Sequence, residues 1–233
     1  MSVGVIIPAA GRGKRMGASL PKQFLSLGDR PILVHTLQVF QFHPEVDQIV
    51  IATGEEDKQN VWELIKKYQL SKVTSVVTGG VERQDSVRHA LKQLQTDWVL
   101  VHDAVRPFIS SERIRVLLKE VRTHGAAVLA VPIKDTVKQV GKNGLVEKTP
   151  DRSRLWAVQT PQAFRRTLLQ QAHNEAEQHN VVGTDDAMLV ERIGFPVKVV
   201  MGEYTNIKLT TPEDLIIAES FLEKLEPVFP TKE

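Results

Sequence analysis

The chain has 233 residues, 42% of them hydrophobic, and no cysteine, which suffices for one α/β domain with a sizeable core and excludes disulfides, thiolate metal ligands and a cysteine nucleophile. Thirty Lys and Arg face 28 Asp and Glu for a formal charge of +2, so basicity is local, and a nucleic-acid binder resting on phosphate contacts, which would show a clear basic excess, is disfavoured. No charged-then-apolar leader opens the sequence and no apolar run approaches the ~20 residues of a membrane span, so a soluble, cytoplasmic protein is expected.

The apolar run Val3 to Ile7 reads as a buried strand, followed by Pro8-Ala9-Ala10-Gly11-Arg12-Gly13-Lys14-Arg15-Met16-Gly17 and then Pro21-Lys22-Gln23-Phe24. Apolar residues at helical spacing predict a helix over Ile32 to Phe40, stopping near His43-Pro44, and Gln48 to Ala52 is the next strand. A helix over Glu55 to Tyr68 carries acids in its first turn and Lys66-Lys67 in its last, as the helix dipole favours. Val73 to Val77 is a strand closed by Gly79-Gly80, Arg83 to Leu94 a helix, and Trp98 to Val101 a strand running into His102-Asp103-Ala104-Val105-Arg106-Pro107. Ser111 is expected to cap a helix to about Thr123, with Ala126 to Val131 the fifth strand. Such alternation implies right-handed crossovers and a mostly parallel sheet with helices on both faces.

The alternation breaks after Pro132. Asn143-Gly144, inside the loosely alternating Val137 to Lys148, signals a type I′ hairpin. The expectation is a projecting antiparallel arm that packs on a second copy of the chain, since an isolated two-stranded ribbon is marginal in water; a hairpin folded over its own sheet is the alternative. Ala163 to Gln178 reads as helical, Thr184-Asp185-Asp186 as the cap of a helix over Ala187 to Ile193, Val197 to Met201 as a late strand, and Thr211-Pro212-Glu213-Asp214 as the start of a last helix.

Gly11 and Gly13 allow backbone N–H groups to converge on an anion, and Arg12, Lys14, Arg15 and Lys22 would surround it with positive charge. The loop is neither a G-x-G-x-x-G dinucleotide fingerprint nor a Walker A sequence, for no Gly-Lys-Ser or Gly-Lys-Thr occurs. A solvated basic turn is the plain alternative. In an open parallel sheet the ligand lies beyond the carboxyl ends of the strands. There the opening loop, Gly79-Gly80, Asp103 to Arg106, and Lys134-Asp135-Thr136 are all expected to converge.

Pro8-Ala9-Ala10-Gly11-x-Gly13-x-Arg15-Met16 with Pro21-Lys22-Gln23, Gly79-Gly80-x-x-Arg83-x-x-Ser86-Val87, His102-Asp103-Ala104-x-Arg106-Pro107, Gln159-Thr160-Pro161-Gln162 and Asn206-Ile207-Lys208 occur in this order. Together they resemble the 2-C-methyl-D-erythritol 4-phosphate cytidylyltransferases. The resemblance implies a three-layer Rossmann-like fold, one nucleotidyltransferase domain over 1–233 with a β-arm inserted at about 134–158, and attack of a substrate phosphate on the α-phosphorus of CTP with release of pyrophosphate. It assigns charge neutralisation to Arg15 and Lys22, with Arg152 and Lys208 completing the catalytic set. It places CTP against Pro8, Ala9, Ala10, Gly11, Gly13, Gly79, Gly80, Ser86, Asp103 and Ala104. Asp103 would also meet Mg²⁺ held largely by the triphosphate; read by itself, Asp103 caps the turn into Arg106-Pro107, with Arg106 as its partner. Thr136, Arg152 and Lys208 match positions that hold the acceptor, and in the family the arm exchanges between subunits of a homodimer, so that Thr136 and Arg152 would serve the neighbour's site. Arg106, Thr160 and Thr184 are further candidates for the acceptor phosphate, the last two weaker ones that read first as turn and cap residues.

The nearest alternative is a ribitol-5-phosphate cytidylyltransferase, against which stand Ala9-Ala10-Gly11 and Asp151-Arg152-Ser153-Arg154-Leu155-Trp156. A nicotinamide-dependent oxidoreductase is disfavoured by the missing fingerprint and by Thr53-Gly54 where an acidic ribose ligand is wanted. A non-catalytic nucleotide sensor would bind CTP without releasing pyrophosphate.

Overall fold

The structure, a computed structural model, describes residues 1–11 and 20–224. In chain order its strands and helices are β1 (Val3–Pro8), β2 (Ser26–Leu27), β3 (Arg30–Pro31), α1 (Ile32–Phe42), β4 (Gln48–Thr53), α2 (Lys58–Lys67), β5 (Val73–Thr78), α3 (Arg83–Leu91), β6 (Trp98–Val101) and α4 (Ser111–His124). There follow β7 (Ala126–Pro132), β8 (Gln139–Val140), β9 (Val146–Lys148), β10 (Trp156–Arg165), α5 (Arg166–Gln178), α6 (Asp186–Arg192), β11 (Lys198–Met201) and α7 (Pro212–Lys224).

Seven strands form one sheet in the order β11-β7-β10-β6-β1-β4-β5. All neighbours are parallel except β10, which runs antiparallel between β6 and β7. Successive side chains of a strand point to opposite faces, and the two cores divide accordingly. Val5, Ile7, Ile49, Ile51, Leu100 and Leu129 pack with Leu33 and Leu37 of α1, Val61 and Ile65 of α2 and Leu117 and Leu118 of α4. On the other face Ile6, Val50, Val99, Val101 and Val128 meet Val87 and Leu91 of α3, Leu169 of α5 and Leu189 of α6. Covered on both faces, these strands read as continuous apolar runs. A third cluster seats α7 through Ala218 against Leu27, Ile32, Phe108 and Leu209.

The helix ends carry the expected chemistry with one shift of position. Ser110, not Ser111, caps α4, accepting from the Arg113 N–H at 3.2 Å, because the cap residue must lie outside the helix in extended backbone. Gly125 ends α4 with φ +82° and passes its N–H to Val121 O, a conformation that glycine adopts without strain. Asp185 caps α6 through the Met188 N–H at 2.9 Å.

Two expectations are corrected. Ala163 to Arg165 is strand, not helix: these residues pair with β6 and β7, and α5 begins only at Arg166. The hairpin turn is not type I′, which needs positive φ at both central residues; only Gly144 has it, at +79°, and its N–H donates to Gly141 O at 2.9 Å. That is the type I turn followed by a left-handed glycine, the next commonest hairpin solution. The hairpin exists, and β8 and β9 are exposed along their whole length. Trp156 to Val158 already pair with β7, so the segment that leaves the sheet lies between Pro132 and Trp156.

Candidate active site

The parallel strands β1, β4, β5 and β6 all end at one rim. After β1 the chain continues extended, the Ala9 N–H bonding Ala52 O at 2.6 Å, and the buried Gln23 fastens the same residue by donating Nε2–H to Ala9 O at 2.6 Å. After β5, Gly79 holds Thr53 O through its N–H at 2.7 Å. A Cβ on Gly79 would lie 2.8 Å from Ser86 Oγ and nearer still to the Ala10 methyl, so the close approach of the two loops requires glycine there. The Gly80 N–H donates to Ser86 Oγ at 3.0 Å, and Glu82 and Asp85 form a capping box on α3. A cleft of about 200 Å³ results, lined by Pro8, Ala9, Ala10, Gly11, Lys22, Gly80, Arg83, Ser86, Asp103, Ala104 and Lys208, among others.

A second cleft, about 230 Å³, adjoins it and is lined by Arg106, Val158, Gln159, Thr160, Gln162, Thr184 and Asp185. Arg83, Asp103 and Lys208 belong to both. They form the partition. Asp103 Oδ1 accepts from Arg83 Nε at 3.2 Å, and its Oδ2 lies 2.9 Å from Lys208 Nζ and 3.5 Å from Arg106 Nε. Burial alone would raise the Asp103 carboxyl, but the charges of Arg83, Lys208 and Arg106 hold it well below the usual carboxylate range. It is therefore ionised at any working pH.

The backbone behind this partition is fixed by a hydrogen-bond chain whose polarity is determined. The carbonyl Arg106 O can only accept, so His102 Nε2 carries the proton toward it at 3.0 Å. His102 Nδ1 then accepts from Thr160 Oγ1 at 3.1 Å, and that hydroxyl accepts the Asp103 N–H at 3.0 Å. Complete burial pushes the His102 imidazole down to about 4, so it is neutral and the chain keeps this direction. Asn206 ties in the remaining loop: its Nδ2 donates to Thr160 O at 2.9 Å, and its carbonyl accepts Arg106 Nη1 at 2.7 Å. Lys208 is thereby placed two residues beyond a fixed point.

A family model for 2-C-methyl-D-erythritol 4-phosphate cytidylyltransferase matches residues 3–224. The chain belongs to this family. It is 52% identical over 224 residues to the 2-C-methyl-D-erythritol 4-phosphate cytidylyltransferase of Alkaliphilus metalliredigens, covering 94% of this chain and 92% of that one. It is 49% identical to that of Halalkalibacterium halodurans, over 97% of this chain and 99% of the relative. Among solved structures, the Anaerococcus prevotii 4-diphosphocytidyl-2C-methyl-D-erythritol synthase superposes with a TM-score of 0.85 at 34% identity, covering 95% and 96% of the two chains. The Francisella tularensis 2-C-methyl-D-erythritol 4-phosphate cytidylyltransferase gives 0.81 at 35% identity, over 94% of this chain and 99% of its own.

Of the residues that the family resemblance singles out, Pro8, Ala9, Ala10, Gly11, Lys22, Gly80, Ser86, Asp103, Ala104 and Lys208 line the first cleft, and Gly79 packs directly behind it. Arg106, Thr160 and Thr184 line the second, where Asp185 rather than Thr184 makes the helix cap. Gly13 and Arg15 lie outside the described residues. Thr136 and Arg152 line neither cleft: both are exposed on the arm, and Arg152 Nη1 donates to Lys134 O at 2.8 Å. The segment Lys134 to Thr136 follows β7 at the same rim, with Lys134 Nζ over the Tyr204 ring at 3.6 Å, but lines neither cleft. Sequence reasoning gave no role to Arg83, one of the three residues common to both clefts, nor to Gln23 as the fastener of Ala9. A signal for Arg83 existed, since a cation opening the helix after Gly79-Gly80 opposes the helix dipole and calls for a specific anionic partner.

Among the described residues no group of three or more His, Asp or Glu could hold a metal ion. The first cleft offers Asp103 and Glu82, the latter engaged in the capping box. Such a site suits magnesium only if most of its ligands are phosphate oxygens, a common arrangement for that ion.

Proposed function

We propose that the first cleft holds CTP and the second 2-C-methyl-D-erythritol 4-phosphate, so that cytidylyl transfer occurs across the Arg83–Asp103–Lys208 partition. The observation that carries this assignment is that those three residues line both clefts at the carboxyl rim of the sheet. An oxygen of the acceptor phosphate bonds to the α-phosphorus of CTP. The bond from that phosphorus to the bridging oxygen breaks, and its electron pair leaves on pyrophosphate. The attacking phosphate is already an anion at neutral pH, so no proton need be removed. In keeping with this, no histidine lines either cleft.

What remains for the protein is to align the reactants and to neutralise charge that builds on the phosphoryl and leaving groups. Lys22 and Lys208, with Arg15 from the opening loop, supply that charge, while the side-chain-free Gly79 and Gly80 leave backbone groups exposed to read the edge of the base. Bound magnesium, shared between Asp103 and the triphosphate, would add further neutralisation at the phosphates.

The acceptor side is completed by Arg152 and Thr136 of a second copy in a homodimer. The apolar side chains of Val140, Leu145 and Val146 on the arm, exposed by half or more, support such a partner, because a two-stranded ribbon does not hold itself. Both substrates are small and highly charged, which supports work in the cytoplasm. The test is pyrophosphate release with each nucleoside triphosphate crossed against methylerythritol phosphate and ribitol phosphate. Release with CTP and methylerythritol phosphate alone is expected; release only with ribitol phosphate would reassign the acceptor, and CTP binding without release would make the chain a sensor.

A further inference from the structure

Asp186 lines neither cleft, yet it is a buried charge on α6, 1% exposed. Burial alone would raise its carboxyl, but the Arg83 guanidinium and the His173 ring hold it below the usual range. Its Oδ2 accepts from Arg83 Nη1 at 2.6 Å and its Oδ1 from His173 Nε2 at 3.2 Å. His173, fully buried on α5, has no other partner for its ring among the described residues. Its visible work is to hold Asp186.

Arg83 is thus gripped from two sides. Nη1 is fixed by Asp186 and Nε by Asp103 at 3.2 Å, while Nη2 makes no hydrogen bond to a described residue. A guanidinium is planar and rigid, so fixing two of its nitrogens fixes the direction of the third. Were Asp186 uncharged, Arg83 would have Asp103 as its one carboxylate partner and would turn toward it, competing there with Lys208 and Arg106.

We propose that Asp186 is a positioning residue for cytidylyl transfer: by holding Arg83 away from full engagement with Asp103, it aims the third guanidinium nitrogen at the phosphoryl oxygens where the two clefts meet. The inference rests on the assignment of the clefts to the two substrates. Arg83 is then the catalytic residue and Asp186 acts through it. The α5–α6 layer, which borders the second cleft only through Thr184 and Asp185 ahead of α6, thereby also acts on the partition between the clefts.

The experiment is a double-mutant cycle of Asp186→Asn and Arg83→Lys, followed by pyrophosphate release and by thermal midpoint. Lysine keeps the charge and loses the planar fork. Each single variant is expected to lose about 10²-fold in kcat, the scale of a misplaced reacting group, with KM for CTP changed far less. The double variant should be no worse than the poorer single one, since both remove the same aim. An Arg83→Lys enzyme that turns over normally, losses that multiply in the double variant, or an Asp186→Asn protein with a lowered midpoint and intact kcat would each overturn the proposal. Should Asp186→Asn fail to fold, Asp186→Glu, which keeps the charge and moves the anchor by one methylene, takes its place with the same outcomes. A wild-type chain that releases no pyrophosphate from CTP with methylerythritol phosphate sinks the assignment of the clefts itself, whereas an active wild type with insensitive variants sinks only the role of Asp186.

Discussion

Lys22 reaches the first cleft from a short 3₁₀ turn, Lys22–Phe24, whose neighbour Gln23 is buried and bonded to Ala9. If the first cleft holds CTP as proposed, the lysine charge faces the triphosphate, and Lys22→Ala should cost mainly turnover, ~10²–10³-fold, the usual loss on removing one preorganised charge partner. A raised KM for CTP with kcat intact would assign Lys22 to binding alone. Gly79→Ala tests the close loop contact. The added methyl must displace Ala10 or Ser86, and overpacking of this kind costs roughly 1–3 kcal/mol, so both the thermal midpoint and the affinity for CTP should fall together. A normal midpoint would show that the loops part freely.

His102 makes a prediction about acid. Its imidazole sits at about 4 when folded against 6.5 when exposed, so across that window the unfolded chain takes up a proton that the folded chain refuses. Stability therefore declines as pH falls from about 6.5 toward 4, by up to about 3 kcal/mol from this residue. His35 and His43, also lowered by burial, contribute with the same sign. His102→Gln should make the pH dependence of the midpoint shallower over this interval, measured against the variant's own midpoint at pH 8. An equally steep decline would place the effect elsewhere.

At the scale of elements, what was legible followed from periodicity and punctuation. The parallel strands announced themselves as apolar runs, most of them closed by glycine or proline and β6 by His102-Asp103, and α4, α6 and α7 by a polar residue before an amphipathic stretch. Strand β10 did not, because Ala163 and Phe164 satisfy a strand and a helix equally and only the gap between β6 and β7 decides. The site divided the same way. Residues in the loops after β1, β5 and β6 were recognisable, and Arg83 stood out as a cation at a helix start, but its partner Asp186 lies 103 positions away. Nothing local marks such a pair. Asp185 offers a check on element energetics: it caps α6 and also accepts Gln162 Nε2 at 2.7 Å. Asp185→Ala should lower stability by about 1–2 kcal/mol, read in a chemical denaturation midpoint, and a change within error would mean that α6 is held by packing alone.

For the whole molecule the arm carries the sharpest expectation. If Arg152 serves the partner's site, each site combines the opening loop of one copy with the arm of the other. Arg15→Ala and Arg152→Ala proteins, each inactive, should then recover activity on mixing, because one site of a mixed dimer gathers both defects and the other is intact. Equal amounts that exchange freely should reach about a quarter of wild-type sites, by the statistics of a two-fold pair. Demonstrably mixed dimers without recovery would confine Arg152 to its own subunit.

The antiparallel position of β10 has a consequence for how the chain is made. Strands β1, β4, β5 and β6 can assemble as soon as residue 101 is available, but β7 has no sheet neighbour among them; its partners are β10 and β11, both synthesised later. A nascent chain that has passed β7 and not yet reached β10 therefore carries an open edge on β6 and two open edges on β7, whose side chains are almost wholly apolar. Unpaired apolar strands of this kind are templates for association between chains. Insertion of β10 removes all three edges but one in a single event, and β11 removes the last. The sheet is thus locked from the middle, by a strand that arrives when most of the protein already exists, and the interval before its arrival is when its apolar edges are most open to wrong partners.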